Sequence, residues 1–599
     1  MQFEKQLTAI TQKAFIELYG ISADEKLISF QATRKEFEGD LTLVVFPITK
    51  ISKKSPEETG KLIGEYLQQH SSMVSGYNVV KGFLNISIDN KAWLQLYSQS
   101  AANPDFGINK PDVNSKPVLV EYSSPNTNKP LHLGHMRNIL LGYSVAKLLK
   151  AAGKNVVKVN IVNDRGIHIC KSMLAWKKYG NGENPVSSGI KGDHLVGKYY
   201  VEFDKRYKEE VNGLVANGMS KEDAEKKSPI MLEVREMLIK WEQGDKETID
   251  LWKMMNGWVY DGFAVSYKNL GVDFDKIYYE SDTYLLGKDI VKEGLAKGVL
   301  EQDADHSVWI DLTNEGLDRK IMQRSDGTSV YITQDLGTAQ KRYEEYGFDE
   351  MIYVVGNEQD YHFKVLFKTL KKLGHDWAGQ LQHLSYAMVD LPSGKMKSRE
   401  GTVVDADDLM NEVINAAKDE TQKLGKVDEF SDEELQQLYK MLGLGALKYY
   451  ILKVDPEKRM LFNPAESVEI HGNTGPYIQY VHARICSVLR RALQIKELAG
   501  YSNFNAEGYS VNDKEKELLK AILRFEEIVH EAAARLSPAV VANYVYDLSK
   551  AFNQFYHDNA IIDVTEVNTS LFRLQLSSQC AAAIKKSLGL LGIDVPERM

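Results

Sequence analysis

From Pro117 onward short apolar runs alternate with amphipathic segments, and this alternation restricts the possible fold more than any other feature. An amphipathic segment from about Gly134 to Lys150 follows the first run, and another reaches Leu373. Alternation of this length predicts an α/β fold, with a doubly wound parallel (Rossmann-like) sheet covered by helices. The strand candidates are Val118–Tyr122, Asn155–Val162, Val308–Leu312 and Met351–Val355.

Three other regions interrupt or flank this alternation. Residues from about 185 to 267 have helical apolar spacing and are interpreted as a helical insertion. The first 110 residues mix helix and strand patterns and predict a small α+β domain, in which Ser55 caps a helix that begins at Pro56. Beyond about Asp407 helical spacing predicts an α-helical bundle. We therefore expect domains at 1–110, 111–405 and 406–599.

Length and composition limit the classes of protein to which this chain can belong. A chain of 599 residues exceeds what one hydrophobic core usually serves. No apolar run approaches the roughly 20 residues of a membrane span, and an N-terminus containing Glu4 and Glu17 predicts neither a secretion signal nor a transit peptide. Three scattered cysteines without a CxxC pair favour a reducing compartment and no zinc ribbon. We expect a cytoplasmic protein without a membrane partner. The net charge of −9 does not decide whether nucleic acid binds.

The segment 121–135, EYSSPNTNKPLHLGH, joins the first strand to its helix. Open parallel sheets bind ligands at the carboxyl ends of their strands, so this loop is the expected ligand site. It contains neither a dinucleotide fingerprint nor a P-loop. Instead, His132 and His135 beside a helix N-terminus can donate hydrogen bonds to phosphate oxygens, while Leu133 and Gly134 between them bring the backbone close to a flat base. Two ordinary surface histidines are the alternative interpretation.

A second segment, LPSGKMKSREGT at 391–402, is a glycine-flanked basic loop that follows a strand candidate. Its cations Lys395, Lys397 and Arg399 would neutralise charge that develops on transferring phosphates. Taken alone, a solvated basic loop is the more common explanation. Taken together, HLGH and KMKSR resemble the HIGH and KMSKS signatures of class I aminoacyl-tRNA synthetases.

Within that class the chain resembles the arginyl-tRNA synthetase family along essentially its whole length. The order of the matching stretches is more specific than any single motif. The resemblance implies an enzyme that uses ATP, with Mg²⁺, to convert L-arginine to arginyl-adenylate and then esterifies the terminal ribose of tRNA(Arg). We expect a monomer. The stretches that match are EYSSPNTNKPLHLGHMRN, NDRG, GDHLVGKYY, LWKMMNGWVYDGF, VYITQDLGTA, YVVGNEQDYHF, GPYIQYVHARI and PERM.

The basic loop departs from the family signature, because Ser398 stands where the fourth position usually carries a lysine. Arginyl enzymes often lack that lysine, and the resemblance implies that a lysine just before the HIGH motif substitutes for it. Lys129 occupies that place. We therefore assign Lys129 to the α-phosphate and the three loop cations to a supporting role, without ranking them.

The substrate assignments follow from the chemistry of arginine and from the resemblance. A guanidinium is planar, permanently charged and rich in donors, so a selective pocket needs a carboxylate and neutral acceptors. The resemblance places Tyr331 and Asp335 on the guanidinium, and their spacing gives them one face if that turn is helical. If each residue is considered by itself, Tyr331 could instead be an aromatic residue of the core, and Asp335 could be an acid at a helix N-terminus. Further candidates, for the α-amino and carboxylate groups or as an additional acid, are Glu121, Asn126, Gln359 and Glu280.

For RNA, the resemblance places an anticodon-binding domain in the C-terminal bundle, where aromatic, polar and basic side chains are closely spaced. Bases are held by stacking and edge hydrogen bonds, and phosphates by Arg and Lys. Any one of these residues could instead belong to ordinary helix packing. The resemblance also implies a D-loop contact by the N-terminal domain, although Val80 replaces an asparagine found in some members, and implies that tRNA must bind before arginine is activated. The candidates are Phe83 and Asn85, and Tyr477, Gln479, Tyr480, His482 and Arg484.

Three alternatives were weighed against this interpretation. Another class I synthetase, such as a cysteinyl enzyme, is disfavoured because the cysteines lack zinc-ligand spacing. A small HxGH nucleotidyltransferase would be far shorter. A non-catalytic tRNA-binding paralogue is disfavoured by the intact Lys129, His132, His135 and Asp335. Under the favoured interpretation no protein nucleophile is needed, because the arginine carboxylate attacks the α-phosphate in line.

Overall fold

The computed structural model describes residues 2–22, 24–34, 36–390, 404–423, 425 and 430–599. They form two compact units. Unit 1 contains Met1–Gly107, Ile485–Ile528 and Asp547–Ala583, and unit 2 contains Ile108–Arg484, Val529–Tyr546 and Ile584–Met599. Within the described ranges, no helix is both long and apolar enough to cross a membrane.

The strands of the described residues lie in four sheets. In chain order they are β1 (Phe30–Ala32), β2 (Leu41–Val44), β3 (Val74–Val80), β4 (Phe83–Ile88), β5 (Val118–Glu121), β6 (Val156–Val162), β7 (Lys276–Tyr279), β8 (Glu301–Gln302), β9 (Val308–Ile310), β10 (Lys320–Gln323), β11 (Glu350–Gly356), β12 (Leu381–Tyr386), β13 (Val389–Asp390) and β14 (Met460–Leu461).

The helices account for most of the remaining described chain. In chain order they are α1 (Gln2–Tyr19), α2 (Thr49–Ser52), α3 (Pro56–His70), α4 (Asn90–Ala101), α5 (Leu133–Ala151), α6 (Ile167–Tyr179), α7 (Pro185–Ser188), α8 (Gly192–Ala216), α9 (Lys221–Lys227), α10 (Pro229–Glu242), α11 (Lys246–Leu270), α12 (Glu280–Thr283), α13 (Gly287–Ala296), α14 (Tyr331–Tyr346), α15 (Asp360–Lys372), α16 (Ala406–Lys423), α17 (Asp432–Leu452), α18 (Pro464–Ser467), α19 (Gly475–Leu493), α20 (Asp513–Leu523), α21 (Phe525–Ala534), α22 (Pro538–Asp558) and α23 (Val567–Leu590).

Unit 2 is built on a five-stranded sheet in the order β12-β11-β5-β6-β7. Every neighbouring pair is parallel. The chain leaves β5 for β6 and β7 on one side and returns to β11 and β12 on the other, so the predicted doubly wound parallel sheet is confirmed. The direction reverses between β5 and β11, and in such sheets the crevice at that switch point is where ligands bind.

The strand predicted at 308–312 exists as β9 but does not belong to this parallel sheet. It pairs antiparallel with β8 and β10 in a separate three-stranded sheet. Its connection to β8 is a tight turn closed by a hydrogen bond from the Asp303 amide to the Ser307 carbonyl. A turn this short can join only antiparallel strands, because parallel strands need a long crossover.

One face of the parallel sheet is covered by a continuous apolar core. Strand residues such as Leu119, Val159 and Met351 pack with Leu336 of α14 and Leu366 of α15, all almost completely buried. Burial of each such side chain contributes roughly 1.5–3 kcal/mol, so this layer holds the strand ends in fixed register. Helices α7 to α11 lie between β6 and β7 in the chain.

In unit 1 an antiparallel sheet, β1-β2-β4-β3, packs against α3. The Ser55 side chain accepts a hydrogen bond from the Glu58 amide at 3.2 Å, and Pro56 occupies the first helical position. The predicted N-cap is therefore confirmed. The turn between β3 and β4 is made at Lys81 and Gly82, both with positive φ.

A buried carboxylate joins this sheet to a helix from the other end of the chain. Asp40 accepts hydrogen bonds from the Ile88 amide at 2.7 Å and from Lys516 at 2.9 Å, and its second oxygen lies 2.5 Å from the Lys520 ammonium. Against the effect of burial, the two lysines of α20 lower the pKa of Asp40. The folded state therefore favours the ionised carboxylate.

We predict that Asp40→Asn lowers the stability of unit 1 by about 2–3 kcal/mol, because a buried charged hydrogen-bond acceptor is lost. The contribution of Asp40 is present above its ordinary pKa of about 4 and is lost as the pH falls through its lower folded pKa. Urea unfolding at pH 7 measures the first effect. The control is Asp513→Asn, an exposed acid at the start of α20, and equal losses for the two variants would contradict the prediction.

Candidate active site

The start of α5 lies at the switch point and is organised by two histidines. The His132 ring accepts a hydrogen bond through Nδ1 from the Gly134 amide at 3.2 Å, and the His135 ring accepts one through Nδ1 from the His132 amide at 3.1 Å. The two ring centroids lie 3.8 Å apart. Because both Nδ1 atoms act as acceptors, each neutral ring carries its proton on Nε2. Each ring can therefore donate an Nε2–H hydrogen bond to a ligand.

Both rings are held in the neutral form. Burial, reinforced by the charge of Lys129, lowers the pKa of His132 to about 3. Burial, together with His132 and Lys129, places the pKa of His135 well below its ordinary value. The HLGH turn therefore offers neutral donors at the positive end of a helix, a combination suited to phosphate oxygens.

Lys129 supplies a positive charge beside this turn. Burial lowers the pKa of Lys129, and no carboxylate of the described residues pairs with it. A partly desolvated ammonium without a counterion attracts an anionic ligand, since the ligand would offset the cost of its burial.

The predicted basic loop cations Lys395, Lys397 and Arg399 lie outside the described residues, but the chain on either side is placed. Before the loop, β13 pairs with β14. After it, the Leu133 amide donates to the Val404 carbonyl at 3.2 Å, and the Ala406 amide donates to the Leu131 carbonyl at 3.0 Å. Residues 404–406 therefore lie against the HLGH turn.

At the end of β6, Asp164 fixes the neighbouring edge of the site. Its carboxylate accepts hydrogen bonds from the Ser281 amide and hydroxyl at 2.9 and 2.7 Å and from the Tyr260 hydroxyl at 2.8 Å. Its carbonyl accepts from Trp252 and Asn256 of α11. The ends of β6 and β7 are thereby tied to α11.

Glu280 follows β7 directly. Burial, together with the charges of Asp164 and Asp335, raises the pKa of Glu280 to about 7, against the opposing effect of Arg165. Near neutrality this carboxyl is thus only partly ionised, and a cationic ligand beside it would favour the charged form.

Tyr331 and Asp335 lie in the first turns of α14, so the helical turn that their spacing requires is present. The Tyr331 side chain is 74% exposed. The Asp335 carboxylate is partly exposed and contacts the His362 Nε2 atom of α15 at 2.7 Å. Both side chains are accessible to a ligand.

The other three substrate candidates differ in their surroundings. Glu121 is buried and paired with the fully buried guanidinium of Arg342. Burial raises the pKa of Glu121, and Arg342 opposes that shift. Asn126 is exposed in a loop whose backbone is bridged to that of Asn163, and Gln359 is exposed immediately before α15. The two exposed residues follow β5 and β11, at the carboxyl edge of the sheet.

The C-terminal candidates on α19 divide into two groups. Gln479 is fully buried and donates to the Met441 and Asp594 carbonyls, and His482 is buried with its Nδ1 atom 2.9 Å from the Pro596 carbonyl. These two side chains fix the C-terminal segment. Half-buried residues form the second group, in which Tyr477 packs against Tyr546 and Arg484 stacks on Tyr480.

In unit 1, Phe83 packs edge-on against the half-exposed ring of Phe46. Asn85, in contrast, is 1% exposed. Its side chain accepts a hydrogen bond from Thr42 and donates one to Asn78. A direct contact between the Asn85 amide and a base would require these hydrogen bonds to open.

Several residues that shape the site were not predicted from the sequence. Asp164 follows a predicted strand at the ligand edge, a signal that could have identified it. Arg342 and His362 had no such signal, because their pairing with Glu121 and Asp335 depends on how α14 and α15 pack.

Comparison with known proteins agrees with this architecture. A family model described as "tRNA synthetases class I (R), catalytic domain" matches residues 103–463, and one described as "DALR anticodon binding domain" matches residues 478–599. A Bacteroides thetaiotaomicron protein named "Arginine--tRNA ligase" is 54% identical over 599 residues, covering 100% of both chains. A Flavobacterium psychrophilum protein of the same name is also 54% identical, with 100% of both chains covered.

Two solved structures share the fold over essentially the whole chain. The arginyl-tRNA synthetase of Thermus thermophilus aligns with a TM-score of 0.78 at 24% identity, covering 100% of both chains. That of Plasmodium falciparum aligns with a TM-score of 0.77 at 21% identity, covering 100% of this chain and 99% of the other. The full-length identity to the bacterial relatives and the match to the catalytic family model confirm the resemblance, and the chain belongs to the arginyl-tRNA synthetase family of class I aminoacyl-tRNA synthetases.

Proposed function

We propose that this protein activates L-arginine with ATP to form arginyl-adenylate and then transfers the arginyl group to the terminal ribose of tRNA(Arg). The observation that carries the proposal is the pair of neutral, Nε2-protonated histidines at the start of α5, with Lys129 beside them and no carboxylate of the described residues paired with it. The chain that holds them is 54% identical to an arginine–tRNA ligase over its full length.

The triphosphate is proposed to lie against the HLGH turn. The Nε2–H groups of His132 and His135 donate to phosphate oxygens, Leu133 and Gly134 bring the backbone close to the adenosine, and Lys129 neutralises charge on the α-phosphate. In the chemical step a carboxylate oxygen of arginine bonds to the α-phosphorus while the bond to pyrophosphate breaks. The protein lowers the barrier by positioning the reactants and stabilising charge. Lys395, Lys397 and Arg399 are proposed to assist.

Magnesium is proposed to enter as the ATP complex rather than in a protein cage. Among the described residues, one group has metal-ligand spacing: Asp193, His194 and Asp407. The Lys191 ammonium already contacts two of its carboxylates. These residues do not fit a resident metal, whereas Mg²⁺ commonly binds through substrate phosphates and water.

Arginine is proposed to bind with its guanidinium at Tyr331 and Asp335. Asp335 supplies the carboxylate, and the exposed Tyr331 hydroxyl supplies a neutral acceptor. Glu280 provides a second acid whose charge increases when a cation binds. The proposed partners of the α-amino and carboxylate groups are Asn126, Gln359 and Glu121, the last through the oxygen that Arg342 does not contact.

For tRNA, we propose contacts by Phe83 in unit 1 and by Tyr477, Tyr480 and Arg484 of α19. Gln479, His482 and Asn85 are proposed to support these surfaces, because each is buried and hydrogen-bonded. We also propose a cytoplasmic monomer divided into functional regions at 1–110, 111–405 and 406–599, with the insertion at about 185–267. Three scattered cysteines without a CxxC pair are compatible with a reducing compartment.

The function is tested by ATP–pyrophosphate exchange with arginine, lysine or cysteine, with and without tRNA(Arg). Of the three amino acids, we expect only arginine to support exchange, and only when tRNA(Arg) is present.

In the same assay Asp335→Ala should lower kcat/KM for arginine about 100-fold, since a charge-assisted pair is lost, while ATP binding changes less than about twofold. The control is Glu344→Ala, an exposed acid on the same helix. Unchanged arginine affinity in Asp335→Ala would remove Asp335 from the pocket.

Replacing Lys129 should lower the rate of adenylation more than replacing Lys397 of the basic loop. Lys129→Ala is expected to lower the rate of adenylation about 100-fold, as for loss of one transition-state donor, and Lys397→Ala only about tenfold. Single-turnover adenylation at saturating ATP measures both rates. Lys150→Ala, at the exposed end of α5, serves as the control. A larger effect for Lys397→Ala would reverse the assignment.

Glu280 predicts a pH dependence of arginine binding. Below its pKa of about 7 the carboxyl is protonated and must release a proton when the cationic substrate binds. KM for arginine should therefore rise by up to about tenfold per pH unit as the pH falls below 7. Glu280→Gln should flatten this profile, and Glu344→Gln should leave it intact. A native KM that is constant from pH 6 to 8 would exclude this role.

A further inference from the structure

A second polar cluster lies beside residues 404–406, which contact the HLGH turn. It forms where the start of α8 meets the start of α16. We call it the α8 clamp. Its described members come from three separate parts of unit 2, and none of them was a candidate for the site. They are Lys191, Asp193 and His194 at the start of α8, Ser266 of α11, and Asp405 and Asp407 at the start of α16.

Lys191 is the counterion of two carboxylates. Its ammonium is paired with Asp407, donates to the Ser266 hydroxyl at 2.6 Å and lies 3.2 Å from Asp193. Asp193 is fully buried, and its carboxylate accepts no hydrogen bond from the described residues. The buried charge of Asp193 is therefore balanced mainly by Lys191, so Lys191 also carries a structural function that complicates its replacement.

His194 bridges the other two acids. Its Nε2 atom lies 3.3 Å from both Asp405 and Asp407. The hydrogen bond to Asp407, helped by the negative charges of Asp405 and Asp193, raises the pKa of His194 above its ordinary value. Against the effect of burial, the bonds from His194 and Lys191 lower the pKa of Asp407 to about 2. The His194 imidazolium and the Asp407 carboxylate thus stabilise each other's charged forms, whereas burial raises the pKa of Asp405.

The segment that His194 holds is the one that braces His132. Val404 and Ala406 form backbone hydrogen bonds to Leu133 and Leu131, on either side of His132. Asp405, between them, is bridged to His132 in an antiparallel arrangement. The Asp405 carboxylate also accepts the Asp407 amide at 2.8 Å, which fixes the start of α16. Any displacement of residues 404–406 would be passed directly to the turn that carries the phosphate donors.

We propose that His194 is a positioning residue for adenylation, which holds residues 404–406 against the HLGH turn and so fixes the direction of the His132 and His135 Nε2–H groups. This inference rests on the proposed function, because it assigns those groups to ATP. His194 does not touch the substrate in this arrangement. Its contribution to the rate comes entirely through the backbone of residues 404–406.

The experiment compares His194→Ala with His194→Gln, since the Gln side chain retains an N–H donor that can reach Asp407. ATP–pyrophosphate exchange is measured with saturating arginine and tRNA(Arg). His194→Ala should lower kcat about tenfold and raise KM for ATP about threefold, because small misplacement of catalytic groups is costly. His194→Gln should recover most of the rate. The control is His306→Asn, an exposed histidine with positive φ, a conformation that asparagine tolerates.

Three further measurements separate positioning from a merely structural function. The thermal unfolding midpoint and the Kd for tRNA(Arg) should be close to native in both variants. In a His132→Asn background, which keeps a good N-cap residue, His194→Ala should reduce the remaining rate by less than about threefold, because the two residues act through the same turn. Independent effects would multiply instead.

The outcomes distinguish this inference from the proposed function. Absence of arginine-dependent exchange in the native protein would overturn the proposed function, and the inference with it. Native exchange that His194→Ala leaves unchanged would overturn the inference alone. It would equally be overturned if activity in both variants fell in proportion to the loss of folded protein, or if the effects of His194→Ala and His132→Asn multiplied.

Discussion

Two hydrogen bonds fix the start of α5, one from the Gly134 amide to the His132 ring and one from the His132 amide to the His135 ring, and the rest of the site is arranged around that turn. They occupy both Nδ1 atoms with backbone amides, so only the Nε2–H groups remain for a ligand. Burial keeps both rings neutral, which preserves the Nδ1 acceptors that hold the rings in this orientation. The parallel sheet then brings the ends of β6, β7 and β11 to the same edge, so the residues that follow them face one crevice.

Charge is distributed unevenly across this crevice. The α5 side carries a helix N-terminus and Lys129, which no carboxylate of the described chain neutralises, and this side therefore favours an anionic group such as the triphosphate of the proposed function. The opposite side carries Asp164, Glu280 and Asp335, and burial, together with the charges of the other two acids, raises the pKa of Glu280. In the proposed function, the triphosphate and the arginine guanidinium would each offset the charge on one side. The fold has already placed and partly desolvated these charges, which would reduce reorganisation during the proposed reaction.

Sequence patterns predicted those helices and strands whose own apolar residues are buried in a regular pattern. The bounds of α5 agree within one residue of the prediction, and β5, β6 and β11 were recognised as apolar runs because central parallel strands are buried on both faces. The edge strands β7 and β12 have one neighbour and more exposed residues, so no continuous run marks them. Long-range pairing was invisible for a different reason. Whether Glu121 faces a substrate or Arg342, and whether Gln479 faces RNA or the Asp594 carbonyl, depends on which element packs against each.

The same limit explains why the α8 clamp was not anticipated, although its residues lie in or beside recognised stretches. GDHLVGKYY was informative only as a family match, since nothing local indicates that Asp193 and His194 meet Asp405 and Asp407 more than 200 positions later. The cluster matters for the site because Val404 and Ala406 form backbone hydrogen bonds to the residues on either side of His132. These bonds connect the ion pairs to the proposed phosphate donors. The proposed phosphate site is made of two neutral rings, which have little charge of their own to hold its geometry. In this proposal the surrounding ionic contacts provide the rigidity that the donors require, and α8 and α11 contribute to the chemistry through this support.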